Sequence, residues 1–340
     1  MANYKQNDGE NQEEKLSAEQ LLSATMSSYT HKKSRNHEFV EFMSGKVSDN
    51  SLDRIDACGV NLLFMTNKEK DKYRLKSGLF CGNRFCPYCA WRKARKDALK
   101  MSVIMKMMTK KYKYEFLFVT ATTPNVKADG LEPEINHFNH SFGKMMKRKK
   151  IRGWGTDYRG NDFNGVVKGY VKKIEVTYNA ERDDYNPHIH AIFAVRKSYF
   201  GKRHISNAEW LNLWRDVTGQ PEITQFHVQR LNMENIDKSV QEVAKYSAKD
   251  SDYLLDQEIF DTFFSSLKKK RLLVYGGCMY DYANDYESGL LDEWKTKDMT
   301  DYIYIMMAKF NFDTMKYETH FRNMTPEERH EIIKANFEKE

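Results

Sequence analysis

Three runs of β-branched and aromatic residues, 115–122 (EFLFVTAT), 169–178 (GYVKKIEVTY) and 188–195 (HIHAIFAV), constrain the fold more than any other feature of the chain. Turn-forming residues bound each run, so each reads as a strand. Apolar residues at helical spacing lie between and after them, at about 131–150, 206–217 and 235–255, giving the order β, α, β, β, α. A late apolar stretch, 271–275 (RLLVY), precedes Gly276 and Gly277. The pattern predicts an α+β fold, a central, mainly antiparallel sheet flanked by helices that lie on one side.

With 340 residues, 40% hydrophobic and 13% aromatic, the chain can bury one large core or two smaller ones. It has no run of eighteen apolar residues, and it starts polar and acidic (MANYKQNDGENQEEK), so neither a membrane span nor a secretory signal is read and a cytoplasmic location is expected. Four regions are anticipated. Residues 1–30 form a flexible arm or one weak helix; 31–113 form a cysteine-rich, DNA-contacting segment with a basic helix; 114–280 carry the chemistry; and 281–340 form a helical extension. The basic helix, about 91–112, has an apolar side of Ala94, Leu99, Val103, Met107 and Met108. In the extension, Thr325, Pro326, Glu327 and Glu328 read as a capped helix start.

Charge is unevenly spread. Residues 92–113 hold nine Lys/Arg against one Asp, and 144–152 (KMMKRKKIR) hold six cations, whereas 281–340 carry fourteen Asp/Glu against eight Lys/Arg. Such runs suit a polyanion, though either alone also reads as a solvated helix face. Arg92, Lys93, Arg95, Lys96, Lys147, Arg148, Lys149 and Lys150 are the expected DNA contacts. The acidic C-terminal region fits packing, regulation or self-association as a homodimer.

The sharpest local signal is Asn186-Pro187-His188-Ile189-His190. Alternate residues of a strand share a face about 6 to 7 Å apart, so both imidazoles can reach one cation. If the strand pairs with its neighbour across 179–187, Glu175 falls opposite the histidines and completes a mixed N/O site suited to Mg²⁺ or Mn²⁺. His137 and His140 are rival ligands, and two surface histidines are the bland alternative.

A second constellation lies in 242–249 (EVAKYSAK), where helical spacing puts Glu242, Tyr246 and Lys249 on one face. Ordinary helix surface is the competing reading. A metal that polarises a phosphate and a lysine that favours the phenolate would make the tyrosine a nucleophile, leaving a 5′-phosphotyrosine and a free 3′-hydroxyl. Tyr253 is the rival nucleophile.

The order TATTPN (120–125), NPHIHAIF (186–193) and EVAKYSAKDSDY (242–253) resembles the three motifs of rolling-circle plasmid replication initiator (Rep) proteins of Gram-positive bacteria, in the HUH endonuclease superfamily. The resemblance runs from about Cys58 to Gly277. It implies an HUH fold, with His188 and His190 as metal ligands, Tyr246 as nucleophile and Glu242 as the carboxylate that helps resolve a second strand transfer. It also implies recognition of a plasmid double-strand origin, nicking in an exposed hairpin, and extension of the 3′ end by a host helicase and DNA polymerase.

Cys81, Cys86 and Cys89 have the spacing C-x4-C-x2-C, and Cys58 lies upstream. Four thiolates would close a structural Zn²⁺ site, with free buried cysteines as the alternative. Cys278 stands alone and reads as structural. Phe85, Tyr88 and Trp91 are expected to pack rather than stack on bases. Two further functions compete with nicking. A non-catalytic, zinc-dependent DNA-binding regulator leaves the histidines and Tyr246 unused, and a metal-dependent nuclease using metal-bound water gives Tyr246 no task.

Overall fold

The computed structural model describes residues 17–152, 165–232 and 248–337, together with Val240, Val243 and Ala244. The chain divides into two compact units, and the boundaries differ from the four regions anticipated. The smaller unit takes residues up to 34, 59–79 and 299–334; the larger takes 35–58, 80–298 and the residues from 335 on.

The smaller unit is built on a four-stranded antiparallel sheet. Strands β1 (Asn61–Thr66) and β2 (Tyr73–Gly78) pair with each other, and β8 (Tyr304–Asn311) and β9 (Lys316–Asn323) complete the order β2-β1-β8-β9. Leu62, Phe64, Ile305 and Met306 fill its core. Tyr29, on the first helix α1 (Ala18–Met43), which the short α2 (Asp49–Asp56) follows in the chain, meets Phe64 edge-on at 5.0 Å. The C-terminal region is therefore not the helical extension that its acidity and late helix start suggested; a hairpin occupies much of it. The helix start itself is present. Thr325 Oγ1 accepts from the Glu328 amide at 3.2 Å and Glu328 Oε2 accepts from the Thr325 amide at 3.0 Å, capping Pro326–Phe337.

The larger unit holds five antiparallel strands in the order β6-β3-β5-β4-β7: β3 (Tyr114–Thr122), β4 (Val167–Asn179), β5 (Asp184–Arg196), β6 (Phe226–Arg230) and β7 (Leu273–Gly277). The three expected strands are its centre, and the RLLVYGG stretch is an edge. Helices cover both faces rather than one, because β4 and β5 bury residues on both sides of the pleat. On one face Phe118, Val171 and Ile192 pack with Met101, Ile104 and Met108 of α3 (Pro87–Tyr112), with Met279 and Ala283, and with Val240, Val243 and Ala244. On the other, Phe193 lies 6.1 Å from Phe142 of α4 (Leu131–Lys147) and 5.8 Å from Trp210 of α5 (Asn207–Thr218).

Local chemistry explains the ends of these elements. Ser206 caps α5 in a reciprocal pair with Glu209, and Gly219 closes it at φ +70°. Gly277 sits at φ +57°, and a side chain there would strike the Lys168 carbonyl at 2.5 Å, so β7 can close on β4 only with glycine. Leu99 of α3, counted on its apolar side, is instead 53% exposed; Met101, Ile104 and Met105 take that place in the core. Within the expected helix 235–255 the backbone breaks. Ala248 is a bend, Lys249 is extended at φ −78°, ψ 140°, and a separate short helix spans Asp250–Tyr253. No helix among the described residues is long and apolar enough to cross a membrane.

Candidate active site and metal centres

Strands β4 and β5 are joined by the tight turn 180–183, which fixes their register. Glu175 pairs with His188 and Lys173 with His190. All four therefore point from the face that α3 covers. The Glu175 carboxylate lies 3.5 Å from His188 Nε2 and 3.2 Å from His190 Nε2, and one donor atom from each of the three lies within 4.8 Å of the others. Burial pushes the Glu175 carboxyl up, but hydrogen bonds from His188 and His190 outweigh it and bring it down to about 2. Glu175 is thus an anion between two imidazoles.

The far side of each ring is also engaged. His188 Nδ1 is 3.1 Å from the Asn186 carbonyl, and His190 Nδ1 is 3.2 Å from Thr120 Oγ1. With Nδ1–H donated outward, loss of the Nε2 proton that bonds Glu175 would turn each Nε2 lone pair to a cation, the tautomer that a metal requires. Two nitrogens and a carboxylate fit a hard or borderline divalent cation and leave positions for a substrate oxygen. His137 and His140 do not join them. Both ride on α4 beneath the opposite face of the sheet, and His137 Nε2 bonds the Thr218 carbonyl at 2.9 Å.

Glu242 and Tyr246 lie outside the described residues, but the residues around them are placed. Val243 and Ala244 are buried in the cluster on the face that carries the triad. The Lys173 ammonium donates to the Ala244 carbonyl at 3.3 Å. Burial pushes that ammonium down to about 8. Lys249 is exposed on extended backbone, outside the helix in which its spacing placed it. Tyr253, the rival nucleophile, is spent on packing. It is 3% exposed, lies against Phe85 and Phe260, and its hydroxyl donates to the Phe85 carbonyl at 2.7 Å.

Sequence reasoning missed Thr120 and Lys173. Period two from Glu175 puts Lys173 on the same face, so that signal was present. Thr120 becomes visible only once β3 is known to pair with β5, opposite His190.

The four cysteines form the second cluster. Sulfur separations are 3.5 Å for Cys58 to Cys89, 3.6 Å for Cys81 to Cys89 and 3.7 Å for Cys58 to Cys86, and no disulfide joins them. Four sulfurs about 2.3 Å from a tetrahedral zinc would stand ~3.8 Å apart, whereas a disulfide needs ~2.05 Å. The amides of Cys81 and Gly82 donate to the Cys58 and Cys89 sulfurs at 3.4 and 3.3 Å, and Asn36 Nδ2 donates to Cys86 at 3.3 Å. Hydrogen bonds from Cys58 and the other thiols hold Cys89 well below its ordinary range, whereas burial pushes Cys86 up. Gly82 adopts φ +72° where the chain turns round the cluster.

Cys86 holds the N-cap position of α3 and Cys89 lies in its first turn, so the cluster anchors the basic helix. Phe85 and Tyr88 are buried, and Tyr88 packs on Phe80 and Trp91. Of the expected DNA contacts, Arg92, Lys93 and Lys96 line one cleft, and Arg95 lies over the Trp91 ring. Lys147, Arg148, Lys149 and Lys150 are exposed at and beyond the end of α4, which packs on the opposite face of the sheet, and Arg148 and Lys150 pair with Asp216 and Glu209. The fold does not bring the two basic runs together.

A helix-flanked antiparallel sheet with one mixed N/O donor triad and one four-thiol cluster defines the class of site. Comparison with known proteins gives the family. The sequence model described as replication protein matches residues 72–318. The chain is 49% identical over 234 residues to Protein rep of Staphylococcus aureus, covering 68% of this chain and 96% of that protein. It is 30% identical over 262 residues to Protein rep of Bacillus amyloliquefaciens, covering 70% and 73% of the two chains. No solved structure matches it. The chain belongs to the replication-protein family, the plasmid rolling-circle Rep proteins that its motif order resembles.

Proposed function

We propose that this protein starts rolling-circle replication of a plasmid by nicking one strand of the double-strand origin, its five-stranded sheet serving as an HUH-type endonuclease. One observation carries the reading: His188, His190 and Glu175 converge on the sheet face against which Val243 and Ala244, just before Tyr246, are packed. The two Nε2 atoms and the Glu175 carboxylate would hold Mn²⁺ or Mg²⁺, which when bound draws charge from a non-bridging phosphate oxygen. The Tyr246 phenolic oxygen attacks the phosphorus and gives up its proton to solvent. The bond from phosphorus to the 3′-oxygen breaks, that oxygen takes a proton to become the 3′-hydroxyl primer, and the 5′-phosphate stays on the tyrosine.

Glu242, four residues earlier, takes the proton of the nucleophile in the closing strand transfer. Lys249 serves as a nearby cation, through the bend at Ala248 rather than through a common helix face. The four thiolates of Cys58, Cys81, Cys86 and Cys89 would hold a structural Zn²⁺ that fixes the start of α3. Arg92, Lys93, Arg95 and Lys96, and separately Lys147 to Lys150, contact origin phosphates. A host helicase and DNA polymerase then extend the 3′ end.

The test is a denaturing gel of protein incubated with Mn²⁺ and a single-stranded origin oligonucleotide. A covalent adduct is expected with the native chain and with Tyr253→Phe, and none with Tyr246→Phe. Binding with no cleavage would favour the regulator, and cleavage with no adduct would favour attack by metal-bound water.

A further inference from the structure

The larger unit contains a concave cleft of about 790 Å³, one wall of which carries Arg92, Lys93 and Lys96, three of the cations assigned above to origin phosphates. Eight cationic side chains and two carboxylates line it. Arg92, Lys93 and Lys96 stand on the α3 wall, Lys270 and Arg271 lead into β7, and Lys173 lies on the sheet. Both carboxylates are already matched, Asp97 with Lys93 at 3.0 Å and Glu287 with Lys100 at 2.6 Å. Lys96 and Arg271 have no acidic partner among the described residues. Like charges gathered in a concavity repel one another and concentrate an anion there, so the arrangement costs stability unless a polyanion visits it.

Two further features narrow the polyanion. Half-buried Phe80 lines the cleft under the Arg92 guanidinium, 3.3 Å from the ring centroid, a stacked pair of the kind on which bases lie. The volume is that of a small-ligand site, which suits a few nucleotides of one strand, whereas a duplex is a convex rod whose phosphates would meet only the rim. The cleft also borders the reaction. Ala248 lines it, and Lys173, which also lines it, pairs in register with His190 and reaches the Ala244 carbonyl.

We infer that this cleft binds the phosphates of single-stranded DNA adjoining the scissile bond, with Lys96 and Arg271 as its principal contacts. The inference rests on the nicking reading for what the strand is, but its test reads binding alone. In the full chain carrying Tyr246→Phe, with no divalent cation added, fluorescence anisotropy follows a labelled oligothymidylate of about fifteen nucleotides and a duplex of equal length.

Lys96→Ala with Arg271→Ala is expected to weaken single-strand binding roughly tenfold and to lower the salt slope by about 1.4, the value for two lost phosphate contacts. Lys106→Ala with Lys110→Ala removes the same charge from exposed positions of α3 that do not line the cleft, and is expected to leave affinity within about twofold. Exchanging the pair as Lys96→Arg with Arg271→Lys should retain binding. Equal losses from the two alanine pairs, no loss from the cleft pair, or a loss confined to the duplex would each overturn the inference. An adduct that persists with Tyr246→Phe would instead strike the nicking reading and leave the binding result standing.

Discussion

The two donor clusters of the larger unit are opposites. Four sulfurs close around one point, held by a turn and the first turn of α3, and every donor comes from the protein. The other cluster offers three donors of mixed N/O type from two strands in fixed register, and stops short of a full coordination shell. On the proposed reading the first arrangement exchanges nothing with a substrate and holds the fold, whereas the second keeps room for a phosphate oxygen, with Thr120 behind His190 and Lys173 bonded to Ala244 beside it.

Four variants sharpen or break that contrast, in descending order of effect. Cys86→Ser should release about one zinc per chain and cost more than about 5 kcal/mol in a denaturant titration, since binding energy at a closed site is folding energy. An unchanged midpoint would remove the structural role. His188→Ala with His190→Ala should slow adduct formation by about 10²–10³ while shifting stability by under about 2 kcal/mol, the cost of leaving the Glu175 carboxylate without its partners. Unfolding on the scale of the cysteine variant would make the two clusters alike. Thr120→Val removes the hydroxyl behind His190, and isothermal titration with Mn²⁺ should show about tenfold weaker binding at unchanged stability. Lys173→Met keeps the buried stem but loses the bond to Ala244; stability should stay within about 1.5 kcal/mol while adduct formation slows several-fold. Equal rates for Lys173→Met and the native chain would separate that lysine from the tyrosine segment.

The legibility of the sequence follows the same divide between local and distant contacts. β3, β4 and β5 were readable because each is a long apolar or alternating run, and a four-residue turn between β4 and β5 makes the position of Glu175 against His188 a matter of counting. The cap at Thr325 is likewise local chemistry. The smaller unit was not readable. β1 pairs with β8 across some 240 residues of chain, and β9 (KYETHFRN) buries too little to stand out from a loop. Leu99 misled because a helical stripe counted on five residues tolerates rotation by one position. Lys249 is on extended backbone rather than in the expected helix because nothing in EVAKYSAKD marks the break at Ala248 and Lys249, where no glycine or proline stands.

The proposal stands or falls on whether Tyr246, two residues beyond the buried Ala244, becomes joined to DNA. Digesting the adduct formed by the native chain with a protease and a nuclease, then sequencing the modified peptide by mass spectrometry, reads that bond itself. The account predicts a nucleotide phosphate on Tyr246, in the peptide that follows Ala244. A phosphate on Tyr253, or on any serine or histidine, would contradict it.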